Sequence, residues 1–133
     1  MGNAPMIRRA SFEDVQFARE GKCLVISVLN EHEQSVLIKG TVPANDEVRL
    51  VEDALNLKRD VLVYGLNSSD SRVLTKCEQI LKLGGQPIAY VGGLFEWLLL
   101  QDIYGVDAFP TNGFTLDHLR FKPNNVVAVH YLM

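Results

Sequence analysis

Spare positive charge is what this chain most plainly lacks. Thirteen Lys and Arg face 16 Asp and Glu, a net charge of −3, whereas binding a phosphate backbone needs a basic surface. No nucleic-acid partner is expected. Long hydrophobic runs are missing as well, the longest falling well short of the roughly 20 residues that span a bilayer, so no membrane partner is expected. The chain does not open with positive charge followed by an apolar stretch, the pattern of a secretory signal. Its two cysteines, Cys23 and Cys77, lie in apolar contexts and point to free buried thiols in a reducing compartment. A cytoplasmic location is the expectation. His32, His118 and His130 are far apart and lack ligand spacing, so neither metal nor cofactor is expected. A Ser-His-Asp arrangement has no nucleophile elbow to support it, and no repeat or low-complexity tract interrupts the chain.

What remains is an ordinary globular composition, 47% hydrophobic and 22% charged over 133 residues. That length is one domain, 1–133, with room for a single core. The most organised stretch is 61–97. Val61 to Tyr64 is a short apolar run, Gly65 to Asp70 a polar loop, and 71–83 an amphipathic helix. Ile88 to Val91 is a second apolar run, closing on Gly92 and Gly93. Val73, Cys77, Ile80, Leu81 and Gly84 form a stripe at a 3.6-residue period. Ser69 or Asp70 caps this helix, and Gly84 or Gly85 ends it. Together these make a βαβ unit with a parallel sheet. Ligands in such units sit where a strand's carboxyl end meets a helix N-terminus, which places any site on the 65–71 loop.

The rest of the chain fits around that unit. Residues 6–10 read as an edge strand and Ser11 with Asp14 as a capping pair for a helix that Gly21 stops. Residues 23–29 are a continuous apolar run suited to a central parallel strand. A short strand within 36–41 turns at Gly40, and Asn45 or Asp46 caps a helix over 47–57 with Val48, Val51 and Leu55 on its inner face. The segment from Leu94 to Tyr104 is apolar nearly all round, so it is either largely buried or offers a face to a partner. Phe109 to Gly113 reads as turn and loop. A helical turn over 115–119 and a β-rich run over 125–133 follow.

A strand ending in Tyr64, a six-residue loop, a helix starting at Ser71, and later Gly92, Gly93 and Trp97 resemble a rhodanese-homology domain over roughly residues 7–104, leaving 105–133 as an extension. The resemblance implies an α/β fold with a central parallel five-stranded sheet, helices on both faces and a C-terminal extension. In active members the loop carries a persulfide-forming Cys. Here that position is Gly65, the loop Gly position is Ser68 and the loop Arg position is Asp70. The family's Asp-x-Arg falls on Ser27 and Leu29, with Glu33 in the following loop, and its His on Leu37. The Ser-Ser-acid run also resembles the loop of cell-cycle dual-specificity phosphatases of the same fold, but Gly65 and Ser71 stand where those need Cys and Arg.

The resulting expectation is a catalytically inactive rhodanese-like domain acting as a protein-binding or regulatory module. Its partner would be another protein or a second copy, met through Leu94 to Tyr104 and the extension. One alternative is a sulfurtransferase or phosphatase-like enzyme using an unrecognised group. Another is an anion-binding module, in which the loop amides form a nest supplemented by Ser68, Ser69, Ser71 and Arg72.

Overall fold

The computed structural model describes residues 7–18, 21 and 23–112. The helical turn expected over 115–119 and the strand expected over 125–133 lie outside the described residues. Four parallel strands form the central sheet: β1 (Arg8–Ala10), β2 (Leu24–Ser27), β4 (Asp60–Tyr64) and β5 (Gln86–Tyr90), in the order β1-β5-β4-β2. Two further strands, β3 (Leu37–Ile38) and β6 (Thr111–Asn112), pair antiparallel at one side. The helices are α1 (Phe12–Ala18), α2 (Glu47–Asn56), α3 (Arg72–Lys82) and α4 (Gly93–Tyr104).

Strand alternation divides the interior in two. Leu62 and Tyr64 of β4 join Val15, Ala18, Leu94, Trp97 and Leu98 in a core under α1 and α4. Val61 and Val63 point the other way and pack with Ala54, Val73, Cys77 and Ile80 under α2 and α3. A strand whose two faces are both buried must be apolar throughout, and Val61 to Tyr64 are all at most 1% exposed. The helices therefore lie on both faces of a parallel sheet, the α/β arrangement expected from the sequence.

Several local expectations change. The position beyond β2 at the sheet edge is held by a single parallel bridge between Val25 and Thr41. Gly40, at φ 100°, turns the chain immediately after β3, which leaves no length for a longer ladder. The segment 109–113, read as loop, contributes β6, because Lys39 donates its amide to the Pro110 carbonyl at 3.0 Å and draws the two segments together. Val48 does not face inward from α2 but is 72% exposed, while Ala54 is buried and Leu50, Val51 and Leu55 pack at the core margin. In α4, Leu94, Trp97, Leu98 and Gln101 are buried, whereas Leu99, Ile103 and Tyr104 are 59%, 67% and 67% exposed. That helix thus has an inner face and an apolar outer one.

Residues after α4 are fastened back onto it. The Trp97 indole donates to the Pro110 carbonyl at 3.0 Å, and Gln101 donates to the Phe109 carbonyl at 2.7 Å. Phe109 packs edge-on against Trp97, ring centres 5.0 Å apart. A buried Gln side chain is tolerated because its amide is satisfied this way.

Candidate functional site

The loop leaves β4 at Tyr64, whose side chain is fully buried. The Ile38 amide donates to the Tyr64 hydroxyl at 3.1 Å, and Thr41 Oγ1 lies 2.6 Å from it. Thr41 gives its own proton to the Ile38 carbonyl at 2.6 Å, so Tyr64 donates to Thr41. Burial pushes the Tyr64 phenol above its ordinary range. It is a structural tie between β4 and the β3 turn, without a free proton to trade.

The next residue, Gly65, has no side chain, and the space one would occupy is filled. A Cβ built there would lie 2.7 Å from Asp70 Cγ and 2.9 Å from Asp70 Cβ, with Oδ2 closer still. The Asp70 carboxylate is turned inward, its side chain only 7% exposed. Oδ2 accepts from the Leu66 amide at 2.9 Å and from Arg72 Nη2 at 2.7 Å. Oδ1 accepts from the Arg72 amide at 3.1 Å and from Arg72 Nε at 2.8 Å. The Arg72 guanidinium, aided by the two amides and opposed by burial, lowers the Asp70 pKa to about 2. Arg72 is raised above its usual range by the same pairing and by Glu33.

Glu33 closes the arrangement from the far side. Its Oε1 accepts from Arg72 Nη1 and from the Asn30 amide, each at 2.8 Å, and its pKa is lowered first by that Arg72 bond. A charge link between the β2 loop and this loop thus runs from Glu33 to Arg72.

The other candidate residues stand outside this knot. Ser68, Ser69 and Ser71, with Asn67 and Arg9, line a cavity of about 340 Å³ on the outer side of the loop. Asn67 folds locally, its Oδ1 accepting the Ser69 amide at 2.9 Å. Ser71 sits at the α3 N-cap in helical conformation without a side-chain cap bond, its capping role being taken by Asp70 on the Arg72 amide. The expected anion ligands are therefore split, with the three serines on the cavity wall and Arg72 held by two carboxylates. Among the described residues no group of three or more metal-binding side chains comes together, and no helix is long and apolar enough to cross a membrane.

The Gly92–Gly93 pair belongs to the same site. The Leu94 amide donates to the Gly65 carbonyl at 2.8 Å and the Phe95 amide to the Leu66 carbonyl at 2.9 Å, so the start of α4 holds the start of the loop. Gly93 has φ +72°, and a Cβ there would lie 2.7 Å from the Asn67 nitrogen. Only glycine permits both the conformation and the approach. A Cβ at Gly92 would overlap Glu96, whose carboxylate accepts from the buried Tyr90 hydroxyl at 2.6 Å.

Sequence reasoning offers Asp70 as a helix cap standing at the loop Arg position of the resemblance. It missed that this carboxylate is the anion the loop holds. The signal was an acid two residues ahead of Arg72 at a helix start. Glu33, 39 residues away from Arg72 in sequence, carried no local signal.

Neither a family model nor a curated protein matches this chain. Solved structures do. A protein from Lactobacillus plantarum is 22% identical with a TM-score of 0.58, the match covering 70% of this chain and 83% of that one. A rhodanese-like domain from Anabaena sp. is 21% identical with a TM-score of 0.57, over 82% of this chain and 81% of that one. The fold is rhodanese-like. A thiosulfate sulfurtransferase from Pseudomonas aeruginosa is also similar, at 21% identity and a TM-score of 0.52, over 70% of this chain but only 19% of that longer one. In a rhodanese-like frame Gly65 stands at the start of the loop that follows the central strand, with Asp70 folded over it.

Proposed function

We propose that this chain is a rhodanese-like domain without sulfurtransferase or phosphatase chemistry, acting in the cytoplasm as a protein-binding regulatory module. One observation carries the first half. The Asp70 carboxylate occupies the space that a side chain at Gly65 would need, so the loop has neither a thiol nor an opening for one. The two thiols are elsewhere. Burial raises Cys77 to about 11 and also raises Cys23, and a thiol so shifted is a poor nucleophile near neutral pH. Incubation with thiosulfate followed by intact-mass measurement is expected to show no added sulfur. A single-sulfur adduct on Cys23 or Cys77 would overturn the reading.

The binding half is supported by the outer face of α4. Leu99, Ile103 and Tyr104, with Val106 just beyond, leave large apolar side chains exposed, and such patches mark association sites. The only charges on the helix are Glu96 and Asp102. Self-pairing across this face would bring acids together, so the fitting partner is another protein presenting an apolar stripe flanked by basic residues. Leu99→Asp and Ile103→Asp are expected to abolish binding to such a segment while leaving the circular dichroism unchanged. A sedimenting dimer dissolved by the same substitutions would assign the face to a second copy instead.

A further inference from the structure

We propose that the turn between β4 and α3 is an oxyanion-binding cradle whose resident ligand is the chain's own Asp70 carboxylate. An external carboxylate or tetrahedral oxyanion takes the site only when Asp70 is withdrawn. The proposal rests on reading this loop as non-catalytic and specifies what the loop does in place of catalysis.

The donor pattern carries the argument. Each Asp70 oxygen receives one main-chain N–H and one guanidinium N–H: Leu66 N and Arg72 Nη2 on Oδ2, Arg72 N and Nε on Oδ1. A planar guanidinium edge presented in parallel to two oxygens, supplemented by amides at a helix start, is the chemistry that recognises a carboxylate or a sulfate from outside. Nothing in this donor set requires the acceptor to be covalently attached.

Two features keep the cradle in place without Asp70. The Glu33 carboxylate holds the remaining Nη1 of Arg72 at 2.8 Å and is itself fixed by the Asn30 amide, so the guanidinium stays aimed at the loop. The Gly65 carbonyl and the Leu66 carbonyl accept from the first amides of α4, so the loop start is pinned as well. With Gly65 lacking a side chain, removing the Asp70 carboxylate leaves space for a small ion. The cavity walled by Asn67, Ser68, Ser69 and Ser71 also reaches Asp70 and gives that ion a route in. An attached carboxylate acts at high effective concentration, and its pKa of about 2 keeps it charged at every physiological pH. The native site is accordingly closed.

The test is anion rescue of Asp70→Ala, followed by thermal unfolding in sodium acetate and in sodium sulfate, with sodium chloride at matched ionic strength as control. The variant's midpoint is expected to fall in chloride and to rise saturably by several degrees with acetate or sulfate. The native chain should show only the non-saturating rise that a surface-excluded anion such as sulfate gives any folded protein. Asp70→Asn, which fills the space without charge, should show no saturable gain, and Asp70→Ala/Arg72→Gln should lose the rescue. A midpoint for Asp70→Ala that follows the chloride curve, or an equal gain in Asp70→Asn, overturns the proposal. If Asp70→Ala is unfolded in chloride, the same series is read as recovery of near-ultraviolet circular dichroism. Recovery with acetate or sulfate supports the cradle, and none beyond chloride overturns it. Failure here leaves the thiosulfate result untouched. Sulfur loading of the native chain would sink the non-catalytic reading without touching the rescue.

Discussion

A carboxylate that four N–H groups hold is part of the backbone's own bonding, and Asp70 behaves accordingly. Its neighbour Gly65 must remain side-chain-free because the carboxylate lies over it. Gly65→Ala is expected to destabilise the fold by about 1–3 kcal/mol, the usual cost of forcing a group into filled space. Asp70→Gly should relieve that clash, so the double variant should be more stable than the sum of the single losses. Urea midpoints in a double-mutant cycle measure the coupling, and strict additivity would mean the two positions do not compete. Acid adds an independent check. The folded pKa of Asp70 is depressed from 3.8 to about 2, so its stabilisation is complete above about pH 4 and is lost as pH falls through 2. A shift of this size corresponds to about 2 kcal/mol. The native chain should lose that increment over the window, and Asp70→Asn, with no carboxyl to protonate, should not.

At the scale of the element, legibility followed periodicity. The stripe of α3 and the run of β4 were readable because one period or one unbroken apolar run decides each. Val61 to Tyr64 are buried throughout, as are Val73, Cys77 and Ile80 of the stripe, while Leu81 is half-buried and Gly84 exposed. The α2 pattern misled at Val48, which shares a helical face with Val51 and Leu55 but lies in the first turn and is exposed. β6 was unreadable because two residues carry no period, and its pairing depends on Lys39 and Trp97 reaching Pro110. The loop was legible as a loop between strand and helix. Its inward-facing acid was not, since orientation is set by Arg72 and by Glu33, which lies far off in sequence. The uniformly apolar α4 is the sharpest case, because a helix without a polar stripe cannot announce which side is inside. Leu98 and Leu99 are chemically identical neighbours, 2% and 59% exposed. Leu98→Ala should cost about 2–5 kcal/mol as a core truncation. Leu99→Ala should stay within about 0.5 kcal/mol. Equal costs in chemical denaturation would mean the outer face is covered.

Across the whole molecule, the sheet separates two cores, and each core holds or borders one thiol. Cys77 is fully buried among Val61, Val63, Val73 and Ile80, with its pKa raised to about 11 by burial and, less, by Glu78. Cys23 is only partly buried, at the margin of the α1 and α4 core, beside a cavity of about 270 Å³ lined by Arg8, Asp14 and Asp60. Alkylation needs an exposed thiolate, and exposure of a core residue requires an opening whose free energy approaches that of global unfolding. Cys77 should therefore react with iodoacetamide at pH 8 only through the unfolded chain. Its rate should rise with urea in parallel with the unfolding equilibrium constant from circular dichroism, provided reclosing outpaces alkylation. Cys23 should react faster and with a shallower urea dependence, because a local opening near the cavity suffices. Peptide mapping after timed labelling separates the two sites. If Cys77 labels quickly and independently of urea, the α2 and α3 side opens on its own, and the two cores do not unfold as one cooperative unit.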